Sequence, residues 1–130
     1  MKKTIFRKMI LIITIGLFSQ FVSAQNENNA AAIKQIADIV VGISHFPSDD
    51  DFATLDAIVA DSSLAQGIRD MANAVANIEH VANEEGRGAM EAIQNNTQTP
   101  ERAKVLAGII ENFSHTCSDA AKAQLAELFP

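Results

Sequence analysis

The chain has 130 residues, with ten Lys and Arg against sixteen Asp and Glu, three His, one Cys and neither Trp nor Tyr. Its net charge of −6 argues against nucleic acid and anionic membrane surfaces as partners, because both repel it. A lone cysteine excludes an internal disulfide, and the Trp and Tyr rings on which cation cages and base-stacking surfaces most rely are absent.

Residues 1–24 read as a removed signal peptide. Lys2, Lys3, Arg7 and Lys8 form a positive start, an apolar stretch follows from Met9 to Phe18, and Val22-Ser23-Ala24 supplies the small-x-small cleavage pattern. The apolar run is shorter than the roughly 20 residues a spanning helix needs, so no membrane span is expected after its removal. The mature chain then starts at Gln25 and is periplasmic or secreted. It retains six basic and sixteen acidic residues, a net charge of −10 over 106 residues. A protein partner with a basic surface would be attracted to it.

From residue 30 the apolar spacing is helical, and it recurs. The three histidines, His45, His80 and His115, stand 35 residues apart both times. Aligned on them, position −9 is Ile36, Met71 or Leu106, and position −8 is Ala37, Ala72 or Ala107. Position −5 is Val40, Val75 or Ile110, and position −2 is Ile43, Ile78 or Phe113. Beyond the histidine, Ser48, Asn83 and Ser118 are good N-cap residues, each followed by an acid. Leu55, Met90 and Leu125 then pair with Ile58, Ile93 and Leu128 on a second apolar face.

The unit is therefore a long helix, a tight turn and a short helix. Long helices are expected near 30–45, 65–80 and 100–115, and short ones near 48–60, 83–95 and 118–129. Thr99-Pro100-Glu101 reads as a cap followed by the first residues of the third long helix. The fold class is all-α: a single domain, 25–130, of three αα-hairpin units at about 30–60, 65–95 and 100–129. These resemble helical hairpin repeats of tetratricopeptide length, but the Trp, Gly and Tyr positions of that signature are absent.

Candidate chemistry is sparse. Asp49-Asp50-Asp51 lacks the alternation, glycine and distal Glu of a calcium loop and suits the start of a capped helix. Ser44-His45 and Ser114-His115 lack a third group to orient the imidazole as a base, and the middle unit has Glu79 in place of Ser. Gly86-Arg87-Gly88 lies inside a helix, where two glycines soften it. No catalytic constellation emerges, so the chain reads as a non-enzyme with no cofactor. Its oligomeric state is left open.

Two residue rows carry functional readings. Each histidine is expected in the last turn of a long helix, where it would donate to free carbonyls and lock the recurring turn. The alternative is a metal site made of His45, His80, His115 and Cys117. Equivalent helices in an open stack lie roughly 8–10 Å apart, so three imidazoles meet only if the units close into a ring. Cys117 on its own is either buried or free to pair between chains. The second row lies eleven residues before each histidine: Lys34, Arg69 and Lys104. With Asn77 and Asn112 beside it, this stripe is the candidate partner-binding surface of a non-catalytic adaptor, inhibitor or immunity-type protein.

Overall fold

The computed structural model describes residues 26–130; the expected signal peptide lies outside the described residues. Six helices follow in order: α1 (Asn26–Gly42), α2 (Asp49–Ala60), α3 (Gln66–Ala76), α4 (Glu84–Asn95), α5 (Glu101–Glu111) and α6 (Asp119–Leu128). Among the described residues there is no strand, and no helix is long and apolar enough to cross a membrane.

The expected alternation of long and short helices is corrected. Only α1 is long, at 17 residues; α3 and α5 have 11 each, beside 12, 12 and 10 in α2, α4 and α6. The reason is visible at the helix ends. Asn77 and Asn112 are C-caps whose side-chain amides donate to the carbonyls of Asn73 and Gly108, at 2.8 and 2.9 Å. Last-turn acceptors are thereby satisfied within the helix, which ends four residues before the histidine. The histidines accordingly sit in the connectors and not in a last turn.

The second helix of each hairpin starts as its sequence predicts. Ser48, Asn83 and Ser118 accept from the backbone N–H three residues on, and Asp51 completes a capping box by accepting from the Ser48 N–H. Asp49 and Asp50 occupy the same first turn, where the helix dipole favours acids. Thr99 departs from expectation. Pro100 holds the N-cap position of α5, while the buried Thr99 hydroxyl has no hydrogen-bond partner.

The core uses the aligned apolar positions. Ile36, Met71 and Leu106 are fully buried, as are Val40, Val75 and Ile110, and Leu128 is the one aligned apolar residue that is only partly buried. The first helices α1, α3 and α5 each touch the other two, with the buried Ala37, Ala72 and Ala107 at equivalent places on them. Around them α2 packs on α3, α4 on α5, and α6 returns onto α1. That return brings all three hairpin connectors to one end of the molecule.

Candidate functional site at the histidine end

The connectors are tied by backbone. The His45 N–H donates to the His115 carbonyl, the His115 N–H to the His80 carbonyl, and the His80 N–H to the His45 carbonyl, at 2.5–2.6 Å. Each histidine thus gives its own donor and acceptor to the other two, closing a three-membered ring of hydrogen bonds. This geometry needs a left-handed backbone. His45, His80 and His115 have φ of 72°, 67° and 65°, and they alone among the described residues have positive φ. Such a conformation costs an L-residue roughly 1–2 kcal/mol, which glycine would avoid.

The side chains meet as well. Ring centroids are 5.1 Å apart for His45–His80, 5.4 Å for His45–His115 and 5.2 Å for His80–His115. The rings stand edge to face, with interplanar angles of 83°, 86° and 60°. Ser44 and Ser114 place their hydroxyls 3.2 and 3.1 Å from Nδ1 of the following histidine. His80 and His115 are exposed and His45 is half-buried. As the side chains stand, no group of three His, Cys, Asp or Glu among the described residues presents its ligating atoms to a shared metal position.

No family model, no curated protein and no solved structure matches this chain. The site must be read from its own residues.

The residues that follow the histidines in the chain are partly apolar and partly acidic. Phe46 is 61% exposed and Val81 46%, each directly following a histidine. A few residues on, the exposed acids Asp49, Asp50, Glu84, Glu85 and Asp119 open the second helices. Cys117 points the other way. It is buried in the core, and that burial raises its thiol pKa, with Lys122 opposing the shift.

The basic row lies elsewhere and has structural work. The Lys34 ammonium donates to the carbonyl of Phe129, the C-cap of α6, at 3.4 Å, and also pairs with Asp38. Arg69 Nε donates to the Val59 carbonyl in the last turn of α2 at 3.1 Å. Both cations thus complement the C-terminus of a neighbouring hairpin's second helix. Val59, Gln94 and Phe129 are themselves 35 residues apart, but Lys104 bonds instead to Glu101 at 3.4 Å. Lys104 lines a groove of about 620 Å³ between α5 and α6, along with Gln94, Ile109, Asn112, Cys117 and Ala121. Asn77 and Asn112 serve as C-caps beside this row.

Sequence reasoning missed two things here. One is the left-handed backbone at the histidines; its only trace was one residue type, never Gly, held at a fixed distance before each N-cap. The other is the groove, whose cause was written at Ile109 and Ala121.

Proposed function

We propose that the protein is an exported, non-catalytic interaction module, built from three equivalent hairpin units closed on one another, that meets its partner through the histidine end. One observation carries this reading: Phe46 and Val81, two large apolar side chains, are exposed, each next in the chain to a histidine of the cluster. Exposed apolar groups gathered at one place and rimmed by polar residues are the usual composition of an interface centre. The five exposed carboxylates at the starts of the helices that follow the connectors favour a partner with basic groups at its own rim. The −11 row is a weaker contact surface, since Lys34 and Arg69 already bond to neighbouring helix ends.

The test is a pull-down of envelope extract with the wild-type protein and with a Phe46→Ser, Val81→Ser double variant. The double variant should lose its partner by roughly thirtyfold in affinity, as expected for a pair of interface-centre residues, without a fall in melting temperature. Retained affinity in the double variant would move the interface away from this end. Divalent-metal binding is the second reading of the same end, and the gathering of three imidazoles favours it.

A further inference from the structure

We infer that His45, His80 and His115 together form a binding site for a single divalent transition-metal ion of the zinc class. The inference rests on reading the histidine end as the binding end, and it adds the ligand that this end would take.

The spacing of the rings is the first support. In a facial set of three imidazoles, a metal about 2.0–2.1 Å from each nitrogen stands about 3.2 Å from each ring centroid, and tetrahedral angles then separate the centroids by about 5.2 Å. The observed separations are 5.1, 5.4 and 5.2 Å. Ring position is already right for a tri-imidazole site; ring orientation is not. In the present rotamers the three side chains do not present their nitrogens to one point, so binding requires the rings to turn about their side-chain torsions.

Backbone geometry is the second support. Three left-handed histidines, fixed by a closed ring of mutual hydrogen bonds, are a rigid base for three ligands. Histidine visits this conformation more readily than most residues, but Gly or Asn would make the same turn at lower cost. Neither replaces it in any of the three connectors. Strain repeated at one cluster is a mark of a functional position.

Second-sphere chemistry is the third. In the present rotamers the Ser44 and Ser114 hydroxyls lie 3.2 and 3.1 Å from Nδ1 of His45 and His115; a ring turn that keeps either contact leaves the lone pair on Nε2, as a metal ligand requires. Three neutral nitrogens select zinc, copper or nickel over calcium and magnesium, which prefer oxygen. The surrounding carboxylates raise the local cation concentration without serving as ligands. The exposure of His80 and His115 leaves the fourth coordination position open to solvent.

The experiment is a calorimetric titration of the protein with Zn2+, backed by Co2+ as an optical reporter. One ion per chain, binding tighter than about 1 μM and the intense visible bands of four-coordinate cobalt are expected. The control is the triple variant His45→Asn, His80→Asn, His115→Asn, because Asn tolerates the left-handed backbone and keeps the turn. It should lose stoichiometric binding while retaining its melting temperature in the absence of metal. Should that variant fail to fold, His80→Asn alone must still remove the cobalt bands. Weak or non-stoichiometric binding by the wild type overturns the inference, as does unchanged binding in the folded variants. Partner capture lost in the Phe46, Val81 variant, together with no stoichiometric Zn2+ binding by the wild type, would leave the interaction reading standing while the metal site fell.

Discussion

The second and third hairpins share a left-handed histidine in the connector and an asparagine C-cap, yet one is closed and the other open. Between α3 and α4 a cleft of only about 150 Å³ is lined by Asp70, Asn73, Ala74, Asn77, Asn83 and Gly86, among others. Shift these by 35 residues and each lands on a residue lining the groove of about 620 Å³ between α5 and α6. Two positions account for the difference. Six residues before the histidine stands Ala74 in one hairpin and Ile109 in the other; six after it, Gly86 and Ala121. A side chain on Gly86 would place its Cβ 3.3 Å from the Ala74 Cβ and 3.0 Å from the capping Asn83 side chain. Small residues on both faces let α3 and α4 pack closely, while Ile109 holds α5 and α6 apart. A single fold plan thus yields a tight joint and an open groove through side-chain volume alone.

The largest expected effect comes from giving the second hairpin the residue of the third. Ala74→Ile introduces bulk where no space exists and should cost about 1–3 kcal/mol, read as a lower urea midpoint at unchanged slope. Gly86→Ala works in the same direction, by about 1 kcal/mol. Gly88→Ala is its internal control, because nothing lies within 4 Å of the added carbon. There only helix propensity acts, and the change should stabilise by about 0.5–1 kcal/mol. If Gly86→Ala stabilises as much as Gly88→Ala, the packing account of the closed hairpin is wrong.

A second contrast concerns the cations at equivalent places. Arg69→Ala removes a charged hydrogen bond from the last turn of α2 and should cost about 1–2 kcal/mol. Lys104→Ala removes an ion pair whose acid, Glu101, is almost fully exposed, and should cost no more than about 0.5 kcal/mol. Thermal melts of the two variants decide whether the row is structural in one hairpin and idle in the next. Equal losses would mean that the Val59 carbonyl bond contributes nothing.

These contrasts show what the sequence made legible. Apolar residues at a 35-residue offset identified the centre of the core, because burial is enforced by hydrophobic periodicity and tolerates Ile, Met or Leu alike, but Ile33, Leu64, Ile68 and Phe129 are buried outside those positions. Ser48, Asn83 and Ser118 announced three helix starts, since a short polar side chain at that place has one main local use. Helix ends were not legible. Asn77 and Asn112 cap their helices through a local bond that competes with further helix, and nothing in the apolar pattern marks it. Closure of the three units was also hidden, for it depends on a long-range ring of backbone bonds and on a conformation histidine seldom adopts. Lys34, Arg69 and Lys104 were legible as a spacing, but the helix-end contacts of Lys34 and Arg69 needed the neighbouring carbonyls of Phe129 and Val59.

The smallest expected effect distinguishes the two linkers. Asp61 and Asn96 are equivalent C-caps with nearly the same backbone, φ −82° and −81°, and each side-chain oxygen accepts from the N–H two residues on. Only Asp61 titrates. The Ser63 hydroxyl, the Ser63 N–H and, more distantly, Arg69 favour its carboxylate and hold its pKa below the ordinary carboxylate range. A group whose folded pKa is depressed adds stability that is complete above the unfolded value, near 3.8, and is lost as pH falls through the lower folded value. Asp61→Asn gives the first linker the chemistry of the second and removes that dependence, because an amide makes the same turn without ionising. Wild type should therefore be the more stable protein from neutrality down to about pH 5, by a small constant margin. Below that the margin should shrink toward pH 3, read as converging urea midpoints. A margin that widens on acidification would show that the Asp61 bonds stabilise the protonated form.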